Sequence, residues 1–385
     1  MTGTMLYYLS NANLPGKKAH TIQQMKMCQA FASCGEEVCF VHPSHGTSET
    51  IQWETLADYY GLETRFRIET LPSLQSRPDV PDKVGLLTMT GTLTGWLLKE
   101  SSTGRLGEDD ILYSRNYYPT FAFSELRSIL PQNRRPTTVL EHHDIISAYG
   151  KERFFRSVDG VVCITEALKE YDLATYDVTD PFVAPDGVDL TPYAGLSKKF
   201  ARRQLDIPAD ETVVAYTGHL YPGKGGQVLA AAADRIDATV YVVGGYPADV
   251  ERVKTTVEPA DNVVLTGFVD PSDIPLYQVA ADILVAPYTR SARDYISPLK
   301  LFEYMAAGRP IVASDLSVLK EVLTDGENAL LAEPGDSDAL AEAVTRVLSD
   351  TDLAQQLSAT VSEQVRQYTW RRRAERILSY VQDLR

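Results

Sequence analysis

The chain has 385 residues, 44% of them hydrophobic, and a net charge of −15 from 37 basic and 52 acidic side chains. That length and apolar content suit two ordinary cores and exclude a disordered chain. The acidic excess opposes nonspecific binding to nucleic acid or anionic membranes. The four cysteines, Cys28, Cys34, Cys39 and Cys163, lack a paired two-residue spacing, so they are expected as reduced core residues with no structural zinc.

The N-terminal stretch MTGTMLYYLSNANLPGKK offers a short apolar strand over 5–9, where a secretory signal needs a basic start and a longer apolar core. A cytoplasmic protein is therefore expected. In the following loop, NANLPGKKAH, Gly16 permits close backbone approach, and Lys17 and Lys18 can steer an anion. A helix over 21–33 and a strand over 38–42 come next. Between 71 and 110 the pattern weakens, because Pro72, Pro78, Pro81 and several glycines break any regular period; variable, acceptor-facing structure is expected there. Its most apolar run, VGLLTMTGTLTGWLLK over 84–99, reads as an ordinary packed helix and leaves room for weak peripheral contact at the inner face of a membrane. It is too short and too interrupted to span a bilayer, which needs about 18 apolar residues.

Strands are predicted over 111–114, 139–141 and 161–165. Glu141-His142-His143-Asp144 closes the middle one, at the strand end where ligands of open parallel sheets gather. His143 is the candidate, with Glu141 and Asp144 able to orient its ring. The cluster PDGVD over 185–189 marks a turn between two halves. Further strands are predicted over 213–217, 239–243, 263–266, 283–286 and 311–313, and alternation with helical stretches throughout predicts parallel sheets with crossover helices.

The turn GHLYPGKGG, from Gly218, lets backbone approach phosphate, with Lys224 its natural cation. Its spacing matches a P-loop up to Gly225, where a magnesium-holding Ser or Thr would be needed. Gly244 and Gly267 each end a strand. In SPLKLFEYMAAGRPIVAS, over 297–314, Ser297 can cap a helix, Pro298 suits its first turn, Lys300 adds positive charge to the free N–H groups, and Glu303 lies on roughly the same side. Asp336-Ser-Asp338 and Asp350-Thr-Asp352 read as helix caps, and the tail from 336 is helical in period to its end.

The 297–314 string resembles the core motif of glycosyltransferase family 4 (group 1 glycosyltransferases), retaining enzymes of the GT-B fold. That resemblance implies an α/β chain of two facing Rossmann-like domains with parallel sheets and a cleft between them. The expected boundaries are 1–187 for an acceptor-side domain, with a C-terminal helix over 370–385 packing back on it, and 188–369 for a nucleotide-sugar domain. In the family two glutamates bracket the turn; here the second is Glu303, which would hold the ribose, and the first falls on Tyr295, preceded by Asp294. Lys224 matches the family's diphosphate lysine, while His219 replaces an arginine. The resemblance places His143 on the donor sugar and Gly16 in the acceptor-side loop. It puts Gly244 and Gly267 near the base.

The implied catalytic residues are therefore His143, Lys224 and Glu303. The implied donor-binding residues are Gly16, Gly218, His219, Gly244, Gly267, Tyr295, Ser297, Pro298, Leu299 and Lys300. No metal, no cofactor and no nucleic-acid partner are expected. The implied reaction moves a hexose-type sugar, with retention, from a nucleoside diphosphate (UDP first, GDP second) to a glycan, lipid-linked or small-molecule acceptor. Two alternatives stay open: a nucleotide-sugar isomerase or hydrolase of the same fold, and a catalytically decayed binding protein, for which Tyr295 and His219 are the motive.

Overall fold

The structure, a computed structural model, describes residues 4–12, 14–16, 19–44, 52–73, 82–143, 145, 152–178, 180–291 and 299–385. The chain divides into two compact units, 1–186 with 370–385, and 187–369.

The first unit holds a seven-stranded sheet of β1 (Met5–Leu9), β2 (Glu37–Ser44), β3 (Arg67–Pro72), β4 (Ile111–Ser114), β5 (Thr137–His142), β6 (Gly160–Cys163) and β7 (Phe182–Val183). Its order is β3-β2-β1-β4-β5-β6-β7, with every pairing parallel. Both faces are covered, which is why the central strands read as unbroken apolar runs. Leu6 and Tyr8 of β1 join Phe40, Tyr113 and Val139 in one core, against Met25, Cys28 and Phe31 of the helix Ala19–Ser33. Tyr7 and Leu9 point the other way, with Cys39, Val41 and Leu112, onto Met89, Leu93, Trp96 and Leu97 of the helix Asp82–Thr103.

That last helix contains the packed helix expected over 84–99 and extends it at both ends. The three prolines all precede it, and its 22 residues include Gly85, Gly91 and Gly95. A Cβ at Gly91 or Gly95 would meet nothing within 4 Å, so packing does not require glycine there. Burial of Met89, Leu93 and Leu97 on the sheet outweighs the poor local propensity.

The second unit holds β8 (Val213–Thr217), β9 (Thr239–Val243), β10 (Val263–Gly267), β11 (Ile283–Ala286), β12 (Ile311–Ser314) and β13 (Leu330–Ala332). They are ordered β10-β9-β8-β11-β12-β13, again parallel throughout. Val213 and Ala215 of β8 face one core, Val214 and Tyr216 the other. In each sheet the order reverses once, at β1/β4 and at β8/β11, and loops leaving strands at such a point part to opposite faces and open a crevice at the carboxyl ends.

The helical tail is divided into three α-helices, two of them starting at the expected aspartate caps. Asp336 accepts from the Asp338 and Ala339 N–H groups and starts Ser337–Ser349; Asp350 accepts from the Leu353 N–H and starts Thr351–Gln364. The last helix, Trp370–Asp383, belongs to the first unit and buries Arg373, Ala374, Ile377 and Val381 at helical spacing. The four cysteines are free thiols, with Cys28, Cys39 and Cys163 buried. No helix among the described residues is long and apolar enough to cross a membrane.

Candidate functional site

In the second unit, β8 ends at the reversal point and the chain turns at Gly218, whose φ is +139°. Its N–H donates to the Val243 carbonyl at 2.9 Å. The Gly244 N–H in turn donates to the Gly267 carbonyl at 3.0 Å, so the exits of β8, β9 and β10 are tied side by side. A Cβ on Gly244 would lie 2.4 Å from the Gly218 carbonyl oxygen, and one on Gly218 would lie 3.0 Å from Lys300 Nζ. At Gly244 a side chain would collide with the neighbouring exit; at Gly218 and Gly267, where space is less tight or open, the positive φ of +139° and +69° is what favours glycine. The turn carrying Lys224 is held the same way: a Cβ on Gly225, at φ +81°, would sit 1.6 Å from the Pro287 carbonyl oxygen, just past β11.

Lys300 lies in the first turn of the helix Leu299–Ala307, with Leu299 opening it. Its Nζ stands 3.8 Å from the Tyr216 ring centroid and 5.1 Å from that of Tyr288, the same ring that Lys224 Nζ approaches at 5.3 Å. The Lys300 ammonium is buried and has no hydrogen-bond partner among the described residues. Burial, then the Lys224 charge, pushes its pKa well below the ordinary lysine range, against the pull of Glu303. Burial also lowers Lys224. Two lysines therefore converge on one aromatic wall, and among the described residues neither has a hydrogen-bonded carboxylate partner.

Glu303 sits one helical turn further, where it accepts from Gln278 Nε2 at 3.2 Å. The same Gln278 amide donates to Thr217 Oγ1 at 2.9 Å, and its carbonyl accepts from the Tyr193 hydroxyl at 2.6 Å. Burial raises the Glu303 carboxyl, partly offset by Gln278 and Lys300. His219 is exposed, and its pKa is lowered by burial and by the two lysines, so it offers a mostly neutral ring. It stacks on Tyr221 at 4.9 Å and 8°; a row continues from His219 to Tyr246 at 6.0 Å and from Tyr246 to Phe268 at 6.3 Å and 10°. Tyr221, Tyr246 and Phe268 are all exposed. Tyr295, Ser297 and Pro298, together with Asp294, lie outside the described residues.

In the first unit, His143 follows β5 and is 14% exposed, with Nε2 hydrogen-bonded to Glu141 Oε1. Glu141 is fully buried. It also accepts from the Tyr113 hydroxyl and from Gln23 Nε2 at 2.8 Å, and it pairs with Arg373 Nη2 at 3.1 Å. Burial alone would push the Glu141 carboxyl up, but Arg373, His143 and Arg115 outweigh it and hold it well below its ordinary value. Burial and then Arg115 lower the His143 pKa, against Glu141. Asp144, Lys17 and Lys18 lie outside the described residues. The Gly16 N–H donates to the Tyr60 hydroxyl at 2.5 Å, and that hydroxyl donates to the Gly16 carbonyl at 3.1 Å, so both of its backbone groups are engaged.

Among the described residues one further cluster gathers potential metal ligands, the buried His142, Cys163 and Asp172. Its members pair with one another instead: His142 Nδ1 and Asp172 Oδ2 are 2.7 Å apart, and the Cys163 thiol donates to the same oxygen at 3.2 Å. The three atoms stand at hydrogen-bond separations from one another within the buried core.

Sequence reasoning missed Gln278, Tyr193, Tyr216 and Tyr288 in the second unit, and Gln23, Tyr113 and Arg373 around Glu141. Each sits in an ordinary strand, helix or turn, or, for Tyr288, just past a strand, with nothing local to mark it. Only the clustering of tyrosines at strand ends carried a usable signal.

Residues 211–350 match the family model described as glycosyl transferases group 1. Among curated proteins the chain is similar to the D-inositol 3-phosphate glycosyltransferase of Salinispora tropica, 28% identical over 60% of this chain and 52% of that protein. It is similar also to the phosphatidyl-myo-inositol mannosyltransferase of Mycolicibacterium smegmatis, 28% identical over 56% of this chain and 55% of that protein. The match thus spans about half the length of these relatives. Among solved structures it resembles sucrose-phosphate synthase from Thermosynechococcus elongatus, with a TM-score of 0.76, 20% identity and 99% of both chains covered. It also resembles HepE of Anabaena in complex with UDP, with a TM-score of 0.72, 18% identity, and 99% of this chain and 100% of that one covered. The architecture, two parallel α/β sheets of Rossmann order, is that of the GT-B fold. The group 1 glycosyl transferase match, over 211–350, falls within the second unit.

Proposed function

We propose that the chain is a retaining, metal-independent glycosyltransferase that takes a hexose-type sugar from a nucleoside diphosphate. UDP is the first donor nucleotide to test and GDP the second. The observation that carries this reading is the buried Lys300 ammonium, without a hydrogen-bond partner among the described residues, beside Lys224 at the β8/β11 reversal point and in the first turn of a helix. A diphosphate would supply the negative charge that both lysines lack, and backbone N–H groups of the first helical turn would add to it. Glu303, on the same helix, is an acceptor for a ribose diol. The exposed row of Tyr246 and Phe268 beside Gly244 and Gly267 offers flat faces to a base.

Catalysis follows from where charge develops. As the bond from sugar to phosphate breaks, negative charge grows on the diphosphate, and fixed cations there stabilise the transition state more than the ground state. Lys224 and Lys300 perform the neutralisation that a divalent ion performs elsewhere. In the front-side route that the resemblance implies, the departing phosphate takes the acceptor proton and the anomeric configuration is retained. His143 acts on the donor sugar. UDP in the HepE structure supports the uridine choice, and the names of the curated relatives make inositol-type polyols the first acceptors to try.

Replacing Lys224 or Glu303 by Ala should abolish glycosyl transfer, followed as glycosylated product, while circular dichroism and melting stay close to wild type. Free sugar released without any glycosylated product, over a wide acceptor panel, would transfer the assignment to a nucleotide-sugar hydrolase.

A further inference from the structure

Arg373 comes from the last helix of the chain, yet it is 3% exposed and lies in the polar network under His143. Its Nε donates to the Ala184 and Pro185 carbonyls at 3.1 and 3.0 Å, which fixes the plane of the guanidinium. Its Nη2 stands 3.1 Å from Glu141 Oε1 and 4.0 Å from Asp186 Oδ1, and Nη1 donates to Glu141 Oε2 at 3.4 Å. Gln23 joins the parts: its amide N–H groups reach Glu141 and Asp186, and its carbonyl accepts from Arg115 at 2.6 Å.

The state of His143 follows from counting donors. A carboxylate only accepts. Tyr113, Gln23 and Arg373 already donate to Glu141, so the hydrogen at the His143–Glu141 contact belongs to the ring, on Nε2. Burial and Arg115 favour the neutral ring, and a neutral ring with its hydrogen on Nε2 leaves Nδ1 as a lone pair, with no partner among the described residues. Everything depends on Glu141 remaining ionised while fully buried, which an isolated carboxyl would not do.

We propose that Arg373 is a positioning residue: by pairing with Glu141 it fixes His143 as the Nε2–H tautomer and presents Nδ1 as a hydrogen-bond acceptor. The charged and titratable groups facing His143 from the surrounding elements are Glu141 on β5, Tyr113 on β4, Arg115 after β4, Asp186 at the unit boundary and Arg373 on the last helix. Of the two arginines, Arg373 is the one that touches the carboxylate. The kinetic consequence rests on the transferase reading above, whereas the tautomer does not.

The test is nitrogen-15 NMR of the full chain labelled at histidine, which has only six histidines, with His143 assigned by His143→Gln. Wild type should show His143 as the Nε2–H tautomer, titrating below the usual histidine pKa. In Arg373→Met the Nε2–H signature should be lost, because Glu141 takes up a proton and can donate to the ring. In Arg373→Lys, which returns a cation to the same place, it should reappear. Because a lone buried carboxyl can unfold the unit, the double variant Arg373→Met/Glu141→Gln serves as the folded control and should also lose a fixed tautomer. Transfer in Arg373→Met should fall at least about tenfold in kcat with little change in donor KM, the scale expected when the group orienting an imidazole is removed. An unchanged tautomer in both Met variants overturns the proposal and leaves Arg373 a structural residue. A lost tautomer in a chain that transfers no sugar upholds the positioning and overturns the transferase reading.

Discussion

At the scale of a residue, Lys300 is the side chain whose environment makes least sense without a ligand. A buried ammonium facing Tyr216 and Tyr288, with a second lysine near, costs stability in the free protein, and on the function proposed above a bound diphosphate offsets that cost. Lys300→Met should therefore raise the melting temperature of the ligand-free protein, by roughly 2–4 °C if the relief is about 1 kcal/mol. It should also weaken nucleoside diphosphate binding by about 10–100-fold, the value of one or two charge-assisted hydrogen bonds. The pH dependence has a definite sign. With its pKa depressed in the free protein, the cost of Lys300 to folding is fully present below that value, shrinks as pH rises above it, and is gone only above the ordinary lysine pKa of the unfolded chain. A bound diphosphate pulls the pKa back up. Binding in the window between the two values must take up a proton, affinity must fall as pH rises through that window, and calorimetric enthalpies must vary with the ionisation enthalpy of the buffer.

At the scale of elements, the site depends on strand exits that have no room for side chains. Gly225→Ala would put a methyl group 1.6 Å from the Pro287 carbonyl oxygen at a φ of +81°, so the turn bearing Lys224 must detach from the exit of β11. The expected loss is about 1–3 kcal/mol in denaturant unfolding, together with weaker diphosphate binding. Glycine-rich exits were legible in the sequence because positive φ needs a residue that almost nothing else can replace. The central strands were legible because burial on both faces writes itself as an apolar run: β1, β4, β8, β9 and β11 stand where such runs predict them. β3 was not. Its sequence, RIETLP, is mostly exposed on the edge of the sheet and carries charge where a central strand would carry valine. β7 and β13 are two and three residues long, below the length at which any period can be read. Lys224, Lys300 and His143 could be named from the sequence because each sits beside a motif, while Arg373 could not, since contact with Glu141 across 232 positions leaves no local trace.

At the scale of the whole molecule, the last helix ties the end of the chain to the first unit. Ala374, Ile377 and Val381 fill the core beside β1, and Arg373 neutralises Glu141. Deleting 370–385 should therefore loosen the first unit and spare the second. Hydrogen exchange should show lost protection in β4, β5 and the helix Ala19–Ser33, with β8 to β12 unchanged. Uniform loss in both sheets would mean that the two units fold as one.

The most direct test of the donor site is calorimetric titration of UDP, GDP, ADP and ATP into wild type and Lys300→Met, each with excess chelator. Selective binding of one nucleoside diphosphate that survives chelation and is weakened about 10–100-fold in Lys300→Met is the predicted result. Preference for ATP with a strict magnesium requirement, or diphosphate binding indifferent to Lys300, would contradict it and would mean that the Gly218–Gly225 turn acts as a true P-loop or that the ligand binds elsewhere.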